Sequence, residues 1–296
     1  MRVTVQDLRD FKRRGERFAM LTAYDFATAR ALDEAGIPIL LVGDSLGMVV
    51  LGYETTLPVT VDVILHHTQA VVRGAERAFV VADMPFLSYQ VSPEEALRNA
   101  GRLVQQGGAQ GVKLEGGTTI APTVRRLVEA GIPVMGHLGL TPQSVHQLGG
   151  FKVQARSMDS IERLLSDALE LQQAGIFALV LETVPAPVAK VVTESLDVPT
   201  IGIGAGPDCD AQVQIVSDLL HLIPGRIPKH ARAYAELGEL MRDAVSRFAA
   251  DVQSGNFPGD AESFRLPKGV DPDLVAALSR ARHGSGSPDS SDPGIR

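Results

Sequence analysis

Short apolar runs recur along the chain, and each is followed by a longer stretch whose apolar positions return at helical spacing. The runs fall at 18–22, 37–42, 78–82, 111–114, 133–136, 177–181, 199–203 and, less sharply, 213–217. Near-continuous apolar runs of this length fit strands buried on both faces, as in a parallel sheet covered by helices. The intervening stretches carry helix signals. Thr60 is placed as an N-cap for 60–73, where Val63, Leu65, Val71 and Val72 stand among polar residues. Ser92-Pro93-Glu94-Glu95 joins a capping serine, a first-turn proline and acids set against the helix dipole. That helix is expected to stop near Gly107-Gly108, and those at 119–130 and 159–174 at Gly131 and Gly175.

Eight strand–helix alternations predict a (β/α)8 TIM barrel, with a doubly wound open sheet as the competing arrangement. Two additions flank it. Residues 4–14 read as a leading helix with Val5, Leu8 and Phe11 on one stripe. Residues 230–254 read as a long amphipathic helix carrying Tyr234, Leu237, Met241, Val245, Phe248 and Val252. Asp271-Pro272 starts one more short helix, and from about His283 the Gly, Ser, Pro and Asp content predicts disorder. The expected organisation is one catalytic barrel over 1–266 and a C-terminal extension over 267–296.

Composition narrows the classes. The 296 residues carry a formal net charge of −7, with 45% hydrophobic and 21% charged residues. That balance excludes disorder throughout and argues against a nucleic-acid scaffold. A single cysteine, Cys209, excludes an internal disulfide and any multi-cysteine metal site. The N-terminus lacks the apolar stretch of a secretory signal, and no run nears the roughly 18 apolar residues of a membrane span, so a cytoplasmic protein is expected.

Reactive groups in such barrels sit where strands end at the C-terminal mouth. Asp44, Asp83, Glu115, His137 and Glu182 follow five consecutive apolar runs. Neighbouring strands lie about 4.8 Å apart, so Asp44, Asp83 and Glu115 would crowd one arc. Their repulsion is relieved by protonation or by a hard divalent cation, and oxygen-only ligands favour Mg2+ over zinc. Each alone also reads as a helix cap or loop acid. Lys113 shares a strand face with Glu115. It is placed to bind a substrate carboxylate, to form a Schiff base, or to pair with a core acid. Glu182 is a candidate general base across the mouth. His137 reads equally as a donor to a substrate oxygen and as a core histidine. His66 and His67 read as helix-surface or packing residues. The glycine-rich 202–206 lacks the G-x-G-x-x-G register and reads as a tight turn. Residue chemistry therefore reaches a barrel enzyme acting on a small oxo-acid through its enolate. A Lys113 Schiff-base or Mg2+-dependent oxo-acid aldolase or lyase, and a non-catalytic metal-dependent binder, stand beside it.

The segments 41–50 and 52–60, with Ala82-Asp83-Met84-Pro85-Phe86, Val112-Lys113-Leu114-Glu115-Gly116-Gly117, 136–144 and Gly202-Ile203-Gly204-Ala205-Gly206, closely resemble the ketopantoate hydroxymethyltransferase family. The resemblance runs in order across about 4–264. It implies a barrel of the phosphoenolpyruvate and isocitrate lyase-like group. It implies transfer of a hydroxymethyl unit from 5,10-methylenetetrahydrofolate to 3-methyl-2-oxobutanoate, giving 2-dehydropantoate on the way to pantothenate. By the same resemblance Asp44, Asp83 and Glu115 match Mg2+ positions, and Ser45 and Lys113 match substrate-carboxylate contacts with Asp44 and Asp83 close by. Glu182 matches the proton acceptor. A homo-oligomer, a decamer of two five-membered rings, is implied. Departures touch loops, at Asp210-Ala211-Gln212 and at 150–155, and the tail after about Pro267 has no counterpart.

Overall fold

The computed structural model describes residues 1–225 and 227–283, and eight parallel strands close into a barrel in sequential order, β8 pairing back onto β1. The strands are β1 (Phe18–Thr22), β2 (Ile39–Val42), β3 (Phe79–Asp83), β4 (Gly111–Glu115), β5 (Val134–Gly139), β6 (Ala178–Glu182), β7 (Thr200–Ile203) and β8 (Ala211–Gln214). The helices are α1 (Val5–Arg14), α2 (Phe26–Glu34), α3 (Leu46–Val49), α4 (Val61–Gly74), α5 (Pro93–Gln105) and α6 (Ala121–Glu129). They continue with α7 (Val145–Leu148), α8 (Met158–Ala174), α9 (Ala186–Ser195), α10 (Val216–Leu219), α11 (Leu237–Ser254) and α12 (Pro272–His283). Closure excludes the open-sheet arrangement.

Alternation along each strand makes two cores. Leu40, Val42, Val80, Val112 and Leu114 point outward and pack under the helices. Met20, Ile39, Leu41, Phe79, Val81, Met135, Phe177 and Ile201 point inward and fill the lower barrel. Leu8 of α1 joins this inner cluster and is fully buried. A Thr4–Asp7 capping box starts α1 and Gly15, in the left-handed region, ends it. Thr60, Ser92 and Ser157 cap α4, α5 and α8 through their side chains. Apolar layers thus occupy the N-terminal half of the interior and leave the C-terminal half to polar groups.

Two sequence expectations shift. The eighth strand, predicted at 213–217, spans Ala211–Gln214, because pairing of Phe18 with Ala211 and Leu21 with Gln214 sets its register. Val216 and Ser217 instead begin α10, and the Val216 amide donates to Thr22 Oγ1 at 3.0 Å. The helix predicted from His230 begins at Leu237. Residues before it turn at 229–230 and are then tied to the barrel: the Arg232 amide donates to Gln214 Oε1 and the Tyr234 amide to the Leu219 carbonyl. Helices α2 and α9 were not singled out by the pattern.

The chain forms two compact units, Met1–Glu239 and Leu240 onward. The second contains most of α11, with Leu240, Met241, Val245, Phe248 and Val252 exposed, and α12. The boundary expected at 266 thus lies inside this second unit. The tail expected to be disordered falls almost wholly outside the described residues. Among the described residues no helix is long and apolar enough to cross a membrane.

Candidate active site

The inward positions of β3 to β6 change from apolar to ionisable at their C-terminal ends. Register pairs Asp83 with Lys113, Glu115 with His137, and Gly139 with Glu182, so these residues stand side by side on neighbouring strands. Asp44 follows β2, and Ser45 precedes α3. Asp44, Asp83, Lys113, Glu115 and His137 are each at most 5% exposed. Five groups that water would solvate are therefore stabilised by one another.

Lys113 Nζ donates to Asp83 Oδ1 at 2.7 Å and lies 3.6 Å from Glu115 Oε1. The Asp44 amide donates to Asp83 Oδ2 at 3.2 Å. His137 stands with Nδ1 3.4 Å from Glu115 Oε1 and Nε2 3.3 Å from Glu182 Oε2. Neither ring nitrogen is aligned well enough for a hydrogen bond, so attraction across these gaps is chiefly charge to charge. Glu182, four strands round the ring from β2, joins the cluster through His137 of neighbouring β5. Ser45 Oγ is 2.9 Å from the Tyr24 hydroxyl.

Electrostatics separates the acids. Burial, then Asp83 and Glu115, push the Asp44 carboxyl well above the usual carboxylate range. Burial raises Asp83 as well, against the pull of Lys113. Glu115 ends lower than usual, since Lys113 and His137 outweigh its burial. Burial works against the Lys113 ammonium, but Asp83, Glu115 and Asp44 hold it charged. Burial and Lys113 also oppose charge on His137, yet Glu115 and Glu182 push its pKa up to about 9.

Backbone geometry at Glu182 is special. Gly139 has φ of +92°, and a Cβ there would meet the Glu182 carbonyl oxygen at 2.2 Å, so only glycine lets β5 approach this closely. Thr183, directly after Glu182, has φ of +51°, a left-handed conformation that is costly for a β-branched residue.

These groups line a cavity of about 390 Å³ whose other walls include Met20, Leu41, Val180, Ile203, Val213 and Ile215. The lining thus joins charged and apolar side chains, as in a site for a small molecule that is part ionic and part hydrocarbon. Among the described residues, no three Asp, Glu, His or Cys side chains close into a ready-made metal cage. Mg2+ does not require one, because it binds through one or two carboxylates and completes its octahedron with water or substrate oxygens. Buried carboxylates in excess of ammonium groups, with oxygen donors throughout, fit such an ion.

Two participants were invisible to strand-end reasoning. Gln143 and Tyr89 are buried behind the carboxylates, Gln143 donating to Asp44 Oδ2 at 2.9 Å. Neither ends a strand, so only tertiary contacts identify them. Elsewhere, His67 Nδ1 donates a hydrogen bond to the Tyr24 carbonyl at 2.6 Å, and His66 is exposed. Ile203 borders the main cavity, whereas Gly204 and Gly206, both with positive φ, line a separate open depression. Cys209 is buried in the outer core.

Comparisons with known proteins follow the same direction. The family model for ketopantoate hydroxymethyltransferase matches residues 2–260. A protein of Dehalococcoides mccartyi named 3-methyl-2-oxobutanoate hydroxymethyltransferase is 55% identical over 270 residues, covering 91% of this chain and 97% of its own. One of the same name from Chloroflexus aurantiacus is 55% identical over 279 residues, covering 94% and 97%. Among solved structures, a phosphonopyruvate hydrolase complexed with oxalate and Mg2+ aligns with a TM-score of 0.57 at 12% identity, over 95% of this chain and 97% of that one. A 2,3-dimethylmalate lyase, described as a PEP mutase/isocitrate lyase superfamily member, aligns with a TM-score of 0.55 at 17% identity, over 96% and 97%. These two establish the barrel type alone.

Proposed function

Because the chain belongs to the ketopantoate hydroxymethyltransferase family, we propose that it converts 3-methyl-2-oxobutanoate to ketopantoate, with 5,10-methylenetetrahydrofolate as the one-carbon donor and Mg2+ as the metal. The observation that carries this reading is one cavity holding Asp44, Asp83, Lys113, Glu115, His137 and Glu182 against an apolar wall. Asp44, Asp83 and Glu115 are the residues that would hold the ion, directly or through water. When bound, the ion supplies Lewis-acid polarisation of the 2-oxo group.

The remaining work falls to side chains. Lys113 and Ser45 hold the substrate carboxylate, with Asp44 and Asp83 beside it. The apolar wall takes the isopropyl group and presents C3–H toward Glu182. Glu182 accepts the C3 proton, and the electron pair left behind is delocalised into the 2-oxo group. C3 then attacks the methylene carbon of the opened folate iminium, forming the new carbon–carbon bond. Water provides the hydroxyl as the bond to the folate nitrogen breaks, and that nitrogen takes up a proton. C3 ends quaternary, with no proton left to lose.

The Asp83 and Glu115 carboxylates around Lys113 favour its ammonium form, which weighs against the Schiff-base alternative, since that needs a neutral amine. Incubation in deuterium oxide tests the reading. With Mg2+ and no folate, C3 of 3-methyl-2-oxobutanoate should exchange its proton, EDTA should stop the exchange, and borohydride should leave activity intact. Substrate binding without exchange would favour the non-catalytic binder. A homodecamer and a cytoplasmic location belong to the same proposal. Exposed apolar side chains at Val50, Leu51, Tyr53, Phe86, Leu87 and Val91 are consistent with a buried subunit contact, and light scattering measures it.

A further inference from the structure

Gln143 holds two of the three clustered acids from outside the strand ends. Its Nε2 donates to Asp44 Oδ2 at 2.9 Å and to the Met84 carbonyl at 3.0 Å. Its backbone amide donates to Glu115 Oε2 at 3.0 Å. Its Oε1 lies 2.8 Å from the Tyr89 hydroxyl, whose one proton is shared between this oxygen and the Glu115 carbonyl at 2.9 Å, and the same hydroxyl accepts from the Glu115 amide at 3.1 Å. The amide can point only one way. Flipped, its oxygen would face a carboxylate and a carbonyl, and its NH2 would lose both acceptors. Gln143 is 4% exposed and does not border the cavity, so it stands behind the acids and not among the groups that meet substrate.

We propose that Gln143, oriented by Tyr89, is a positioning residue that fixes Asp44 and Glu115 for a divalent ion. The inference rests on the metal reading above. The physical reason is selective hydrogen bonding. Two N–H donors aimed at two carboxylates stabilise their ionised, acceptor-only forms and hold their remaining oxygens toward the cavity. Partners that orient metal-binding groups typically change affinity by about 10- to 100-fold when removed. Gln143 ties Asp44, after β2, and the Met84 carbonyl, after β3, through its side chain and Glu115 of β4 through its backbone amide, so a shift of this one residue would misplace both acids together.

The test uses the intact protein with Mg2+ alone, read by titration calorimetry and by thermal unfolding with and without the ion. Gln143→Met keeps volume and removes the side-chain donor to Asp44 while leaving the backbone amide on Glu115, and Tyr89→Phe removes the hydroxyl that meets both the Gln143 side chain and the Glu115 backbone. The expected result is a Mg2+ Kd at least about tenfold weaker in Gln143→Met and weaker by a smaller factor in Tyr89→Phe. Gln143→Glu, sharing shape but placing a carboxyl against Asp44, should not rescue binding at neutral pH. A Mg2+ Kd unchanged in Gln143→Met, with only a lower metal-free Tm, overturns the proposal in favour of a packing role. If Gln143→Met fails to fold, an unchanged Kd in Tyr89→Phe has the same force. Wild-type protein that binds no Mg2+, or binds it unaltered after Asp44→Asn, overturns the metal reading itself and this inference with it.

Discussion

Glu182 Oε2 lies 3.3 Å from His137 Nε2, and the opposite ring nitrogen lies 3.4 Å from Glu115 Oε1. One imidazole therefore connects the candidate base to the candidate metal side of the cavity. A base in this position is held by a neighbouring charge as well as by its own strand. The proposed base and the proposed metal-holding acids thus line one cavity.

Replacing Glu182 with Gln should leave substrate binding close to normal, since the proposed carboxylate contacts lie on β2 to β4. Turnover and C3 deuterium exchange should fall together by about 10² to 10⁴, the usual worth of a positioned general base. Exchange at the wild-type rate would assign the proton to another group.

The Lys113–Asp83 pair at 2.7 Å predicts a coupling between folding and metal. Lys113→Met leaves buried carboxylates without their ammonium, and losing one partner of a buried pair costs roughly 3–5 kcal/mol. The metal-free Tm should drop, and millimolar Mg2+ should restore more of it than the wild type gains. Equal Mg2+ shifts in both proteins would refute the coupling.

The charge on His137 gives stability a pH dependence in the metal-free protein. Its folded pKa, about 9, exceeds its ordinary 6.5. The stabilisation is fully present below about 6.5 and is lost as pH rises through about 9. Thermal unfolding followed across that window should show the decline in wild type and a shallower slope in His137→Asn. Identical slopes would remove the imidazolium from the account.

At Gly139, alanine would place its Cβ 2.2 Å from the Glu182 carbonyl oxygen and face an unfavourable φ. Gly139→Ala should destabilise by about 1–3 kcal/mol. Because the collision is at Glu182, kcat should fall more than KM rises. Chemical denaturation and steady-state kinetics separate the two effects, and intact kcat in a destabilised protein would confine Gly139 to the fold.

Much of this was legible in the order of residues. Strand ends carrying Asp83, Glu115 and Glu182 announced themselves because a parallel barrel buries its strands on both faces, so a charged residue closing an apolar run is conspicuous. Caps at Thr60 and Ser92 were legible for the same local reason. The eighth strand was not, since Val213, Ile215 and Val216 are apolar whether they pair with β1 or start a helix, and only register with Phe18 and Leu21 decides. Nor was the start of α11, because Tyr234 and Leu237 keep helical spacing while backbone contacts to Leu219 and Leu220 hold the chain in another path. Gln143 and Tyr89 escaped for a third reason. Their importance lies in partners 99 and 26 residues away, to which local pattern is blind.

Leu8 of the leading helix is sealed into the lower interior beside Met20, Ile39 and Phe79. That apolar plug floors the barrel, so the polar cavity is reached from the end at which Asp83, Glu115 and Glu182 close their strands.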